Sequence, residues 1–155
     1  MGASKNRKRV VQKETPQNRH VAQTADPTSY YAKHPAWNFN SCDSGRWGFT
    51  QEQIGDTFWS EILPFFKALE TKTWSDILLQ SKKQNHSIDI QSLNPDAAKR
   101  LAERFIEQES IISLRLNGTH RIYGYMVEHV FNILWYDAEH GDNAFCVCRS
   151  HKKHT

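Results

Sequence analysis

Two arginines, several histidines and a group of tyrosines in the last third of the chain are the residue types that metal-free RNA chemistry uses. Arg115 and Arg121 flank an Asn117-Gly118 pair, and Tyr123, Tyr125, Asn132, Tyr136 and His140 follow in order. Cleaving RNA through its own 2′-hydroxyl needs a base for the hydroxyl proton, an acid for the leaving oxygen and a cation for the charge at phosphorus. His140, His86 or Tyr136 could transfer the protons, and Arg115 and Arg121 could hold the charge. Tyr123 and Tyr125 could stack on unpaired bases, with Asn132 beside them to hydrogen-bond. This chemistry requires no metal and no other cofactor. The plainer reading of the same residues is a solvated sheet face, where Tyr, Arg and Thr are favoured and pair across strands.

The spacing of apolar residues says which elements must carry these groups. IISLRLNGTHRIYGYMVEHVFNILWY is rich in β-branched and aromatic residues, and Asn-Gly is a strong hairpin signal. A two-residue Asn117-Gly118 loop would set Leu114 opposite Arg121 and mix apolar with charged groups. A three-residue loop, Asn117-Gly118-Thr119, gathers Ile112, Leu114, Leu116, Ile122 and Met126 on one face. Ser113, Arg115, Arg121, Tyr123 and Tyr125 then share the other, and this register is preferred because one buried face specifies pairing strongly. A turn at Glu128-His129 leads to a third strand with Phe131, Ile133 and Trp135 inward and Asn132 and Tyr136 on the polar side. Leu134 does not fit that alternation. Gly124 falls mid-strand, which suggests a bulge or the close approach of a helix.

Helices are expected upstream. Thr50 and Gln53 form a capping signature, Phe49 can staple onto Ile54, and Ile54, Phe58, Ile62, Phe65, Phe66 and Leu69 recur at helical spacing. Pro64 should kink this helix or split it in two. Thr73 and Asp76 repeat the capping signature before Trp74, Ile77 and Leu78. His86, Ile88 and Ile90 alternate as a short edge strand. Asn94-Pro95 then opens a helix with Ala97, Ala98, Leu101, Phe105 and Ile106 inward, ending near Glu107. The aromatic-rich stretch from Trp37 to Phe49 has no regular period and reads as a loop wrapped over the core. The expected fold is α+β, a helical first half on one face of a three- to four-stranded antiparallel sheet.

The 155 residues suit one domain, and the overall charge of +3 hides a strong partition. Met1–Pro35 carries +5, Ala36–Asp142 carries −5, and Asn143–Thr155 carries +3. Residues 1–34 read as a disordered basic tail, 35–150 as the domain and 151–155 as a basic end. Lys5, Arg7, Lys8 and Arg9 could meet RNA or acidic lipid, although a solvating tail is the simpler role. There is no apolar run long enough to span a membrane and no apolar segment behind the basic amino terminus. Three cysteines suit a reducing cytoplasm better than a disulfide framework. Cys146, Cys148, His151 and His154 are a zinc-type ligand set at tight spacing, and the same segment reads equally as a fourth strand. Asp137, Glu139, His140 and Asp142 form an acidic turn that could also hold a divalent ion.

The segment SLRLNGTHRIYGY…FNILWYDAEH resembles small bacterial proteins that carry S-L-R-L-x-G, R-I-x-G and F-x-x-L-W-x-D-P-x-H in that order. More distantly it resembles the terminal sheet of RelE-type toxins, which cleave mRNA free or at the ribosome. The likeness covers Ser113 to His140, and Thr73, Trp74, Ile77 and His86 extend it upstream. It implicates Arg115, Arg121, Trp135, Asp137 and His140, with His86 as a further member, and Ala138 stands where the pattern has proline. The long basic amino terminus is unlike a compact toxin of this type. The function expected is therefore a cytoplasmic toxin-type endoribonuclease, with RNA and a neutralising antitoxin as partners. The alternative is a non-catalytic module that binds RNA or a protein through the same Arg/Tyr face.

Overall fold

The computed structural model describes residues 30–141 and 146–148; residues 1–29 of the basic tail expected at 1–34, and the basic end at 151–155 with His151 and His154, lie outside the described residues. Folding has already begun at Tyr30, ahead of the boundary expected at 34. Tyr30 and Tyr31 pack on the core, and the Trp74 amide donates to the Lys33 carbonyl at 3.0 Å.

The sheet has five strands in the order β1-β5-β4-β3-β2: β1 Ala36–Asn38, β2 His86–Asp89, β3 Ser110–Asn117, β4 His120–Val127 and β5 Val130–Asp137. β1 runs parallel to β5 and the other neighbours are antiparallel. The sheet is thus mixed and wider than the antiparallel one expected. The additional strand, β1, lies inside the aromatic stretch and is too short for any period to reveal it. The strand expected around Cys146–Cys148 reduces, among the described residues, to a single bridge between Leu93 and Cys148.

The caps form as their residue types require. The Thr50 side chain accepts from the Gln53 amide and starts α1, Gln51–Ile54. Gly55, at φ 57, ends it after one turn, so the long helix expected here breaks before Pro64 rather than at it. A π-helical turn, Phe58–Ile62, runs directly into α2, Leu63–Leu69, where Pro64 occupies the first turn and its missing N–H is harmless. Thr73 and Asp76 exchange hydrogen bonds at 3.1 and 3.2 Å ahead of a second π-helical turn, Asp76–Gln80. Asn94 caps α3, Pro95–Glu103.

α3 overturns the one-sided architecture. Ile54, Ile62, Phe66, Leu69, Trp74 and Ile77 cover Ile112, Leu114, Ile122, Phe131 and Ile133 on one face of the sheet. On the other, Leu93, Ala97 and Leu101, with Val147, cover Ile111, Tyr123, Leu134 and Trp135. Most of the face expected to be open is therefore buried. α3 also ends earlier than expected: Phe105 takes a left-handed φ of 58 and is 86% exposed instead of packing inward. The Phe105 amide donates to Ala102 and the Ile106 amide to Leu101, the paired bonds of a helix stop that usually carries glycine.

The hairpin register is the preferred one: Leu114 faces Ile122, Ser113 faces Tyr123 and Arg115 faces Arg121. Between β4 and β5 the ladder slips, with Tyr123 opposite Trp135 but Gly124 opposite Ile133, so Leu134 is the extra residue of a bulge. A Cβ on Gly124 would lie 2.6 Å from the Phe131 ring, so only glycine fits. The bulge exchanges the faces expected for the next two residues. Trp135 joins α3, and Tyr136 joins the side covered by α1 and α2.

Candidate anion-binding site

At the hairpin end of the α3-covered face the sheet is less buried, and two cationic side chains meet there. Arg115 is exposed and lies directly across the ladder from Arg121, which is half-buried. Like charges directly opposite one another destabilise a strand pair. The Arg121 guanidinium is held by turn carbonyls, donating to Gly118 at 2.7 Å and to His120 at 3.1 Å. Burial first, then the charge of Arg115, lowers the Arg121 pKa from its ordinary range. Among the described residues neither guanidinium is in an ion pair.

The nearest acid is already engaged. Asp137 sits opposite Arg121 in the ladder and is 1% exposed. Its two carboxylate oxygens accept from the Glu139 and Val147 amides, each at 2.8 Å. Burial raises its pKa, with those amides working in the opposite direction. Asp137 thus ties the chain after β5 across the sheet, and its charge favours that of Arg121 without forming an ion pair with it.

His86 stands opposite Ser113 on the edge strand, on the face that carries Arg115 and Arg121. Partial burial and then the Arg121 charge lower its pKa, against a hydrogen bond to the Lys82 backbone. That shift favours the neutral imidazole. The segment leading to it is fixed by Asn85, a buried residue not anticipated from sequence. Its amide nitrogen donates to Ile77 at 3.2 Å, and its oxygen accepts from the Arg115 backbone at 3.0 Å. His140 reaches the same end of the sheet: its amide donates to the Thr119 carbonyl at 3.1 Å, and the Thr119 hydroxyl bonds Ala138 at 2.8 Å. Ala138, standing where the resembled pattern has proline, still leaves this loop anchored on the hairpin.

The other expected site residues are drawn into the structure. Tyr123 is fully buried, and burial pushes its hydroxyl pKa well above the usual phenol range. The Tyr125 hydroxyl bonds Ser41 at 3.1 Å, and Asn132, 6% exposed, bonds the Asn38 amide at 2.9 Å. Tyr125 and Asn132 thus brace β1 and the loop after it, while Tyr123 is packed beneath α3 and offers no stacking surface. Tyr136 is on the opposite face, where its hydroxyl bonds His120 Nδ1 and its ring meets Phe49 edge-on at 6.3 Å. No group of three His, Cys, Asp or Glu that could hold a metal occurs among the described residues.

A second charged cluster on this face was not legible in the sequence. Asp43 is 4% exposed and accepts from Arg100 Nε and Nη2, both at 2.9 Å. It also accepts from Trp135 Nε1 at 3.0 Å and from the Ser44 amide at 2.9 Å. These bonds, led by Arg100, hold its carboxyl well below the usual carboxylate range. Asp43 precedes Ser-Gly, a turn sequence that normally signals exposure, so nothing local reveals its burial. Comparisons of the chain with protein families, with curated proteins and with solved structures found no match.

Proposed function

We propose that this chain binds single-stranded RNA at the Arg115–Arg121 end of the sheet and cleaves it without a metal, as a toxin-type endoribonuclease. One observation carries the reading: two guanidiniums face each other across a ladder, and among the described residues no carboxylate is in an ion pair with either. An anion held between them would offset their repulsion beyond what the charge of Asp137 supplies to Arg121, and a phosphodiester matches the fork geometry of arginine. His86, kept neutral, takes the 2′-hydroxyl proton as the oxygen attacks the adjacent phosphorus. Arg115 and Arg121 hold the non-bridging oxygens, and His140 protonates the departing 5′-oxygen. The products are a 2′,3′-cyclic phosphate and a free 5′-hydroxyl. The RelE-like character of the sheet, a cytoplasmic setting, RNA presented at the ribosome and a neutralising antitoxin all belong to this proposal. Its support from the fold is that β3, β4 and β5 bring the arginines and the His140 loop to one end. No helix among the described residues is long and apolar enough to cross a membrane.

The test is incubation of the purified protein with single-stranded RNA in a metal chelator, followed by analysis of the new ends. Cyclic-phosphate ends from the intact protein, lost in Arg121→Ala and in His140→Ala, are expected. Undiminished cleavage by either variant would overturn the site. Binding with no cleavage by the intact protein would replace the nuclease with an RNA-binding module.

A further inference from the structure

On the opposite face of the sheet, far in character from the arginine pair, lies a groove of about 590 Å³. Phe39, Phe49, Ile54, Asp56, Phe58 and Trp59 line it. Its size falls in the range of pockets that enclose small organic ligands. The rings form a continuous wall: Phe39 meets Phe49 at 6.4 Å and Phe58 at 6.5 Å, and Phe58 meets Trp59 at 5.1 Å, all at steep angles. Trp59 is 68% exposed and Phe39 42%, an unusual amount of aromatic surface left to water. The π-helical turn Phe58–Ile62 presents two of these rings, and such turns occur often at functional sites.

Charge narrows the class of ligand. Asp56 lines the groove, Glu52 and Glu61 flank it in sequence, and no lysine or arginine occurs between Arg46 and Lys67. Aromatic faces carry negative potential, and an adjacent carboxylate adds to it, so an anion is repelled and a neutral ligand leaves Asp56 unused. The Cys42 thiol in the groove wall is pushed up to about 12 by burial, so it contributes apolar surface and no thiolate. We infer that this groove binds an organic cation, an alkylated ammonium group seated against Phe39, Phe58 and Trp59 with Asp56 as its counter-charge. The inference is independent of RNA binding on the other face.

Choline chloride and its uncharged isostere 3,3-dimethylbutan-1-ol separate cation recognition from simple apolar contact. Each is titrated into the full-length protein while the Trp59 indole N–H is followed by NMR. Choline should shift that signal saturably, with the isostere about fivefold weaker or worse. Asp56→Asn, read at Trp59, and Trp59→Ala, read from broadening of the choline methyl signal, should each weaken choline binding. Unmoved indole signals of the buried Trp74 and Trp135 certify the fold, and if Trp59→Ala disturbs them, Asp56→Asn carries the test. The amide of N-acetyl-trimethyllysine is the third probe: tighter binding than choline marks the side chain of a peptide as the source, and weaker binding marks a free small molecule. Equal affinity for choline and the isostere, or no response of Trp59 to choline at tens of millimolar, would overturn the inference.

Discussion

Asp43 and the Arg115–Arg121 pair lie on the same side of the same sheet and use the same chemistry to opposite ends. Around Asp43 the carboxylate is closely partnered: Arg100 forks onto it, Trp135 donates from the sheet, the Ser44 amide donates from the loop, and Arg104 stands 3.7 Å away as a second cation. That cluster fastens three elements together, β5, α3 and the loop after β1, and its role ends inside the molecule. At the hairpin end two arginines confront each other, and Asp137, the nearest acid, is occupied by backbone amides. Satisfied charge builds architecture here. Unsatisfied like charge lowers stability, and its natural complement is an anion from outside the chain.

Substitutions can break or sharpen this contrast, beginning with the strongest. Asp43→Ala should lower unfolding free energy by about 3 kcal/mol in urea denaturation, because it leaves the buried Trp135 N–H without an acceptor and the largely covered Arg104 without its counter-charge. Loss under 1 kcal/mol, the level of an ordinary surface pair, would erase the distinction drawn for this cluster. Gly124→Ala should lose about 2 kcal/mol, since its methyl would collide with Phe131 and shift the bulge that aims Trp135 at Asp43. A crystal structure with the bulge intact and stability unchanged would contradict that coupling. The acid limb of stability gives a further test. The depressed Asp43 carboxyl contributes stability fully above the ordinary aspartate pKa of about 3.9, and this is lost as pH falls through its folded value. Asp43→Asn should therefore flatten the acid limb of a thermal-unfolding profile.

The arginine pair should behave in the reverse sense. Arg115→Ala removes a repulsion, so stability should stay the same or rise by about 0.5 kcal/mol, while RNA affinity falls. The smallest effect concerns His86, whose pKa lies below the ordinary imidazole value near 6.5. A phosphate beside it favours the protonated form, so binding should strengthen as pH falls through that lowered value. Cleavage, which uses the neutral form, should decline over the same interval. His86→Ala should abolish both trends, and an unaltered pH profile would remove His86 from the site.

How much of this was readable in advance depended on whether the signal was local. The hairpin register, the caps at Thr50, Thr73 and Asn94, and the short edge strand at His86 follow from neighbouring residues, and the structure contains each of them. The position of α3 did not follow, because periodicity shows that a helix has an apolar stripe without showing which sheet face it covers. Tyr123 and Asn132 consequently looked exposed. The faces of Trp135 and Tyr136 turned on one inserted residue; Gly124 suggested a bulge or the approach of a helix and Leu134 broke the alternation, but the bulge and its register were set by pairing with β5. Asp43 and Asn85 form bonds to distant parts of the chain, and neither carries a local mark. In the candidate site, Arg115, Arg121 and the edge-strand His86 were legible as residues, whereas the direct opposition of the two arginines, with no ion pair to either among the described residues, depended on the register and on Asp137 bonding to amides.

The most direct test of the central contrast is the salt dependence of RNA binding, measured by fluorescence anisotropy on a labelled single-stranded RNA. Each variant's unfolding free energy is determined alongside. Arg115→Ala and Arg121→Ala should each reduce the slope of log affinity against log salt by about one, with folding stability unchanged or improved. An unchanged slope, together with a loss of stability like that expected for Asp43→Ala, would show that the arginine pair is structural and that the anion site lies elsewhere.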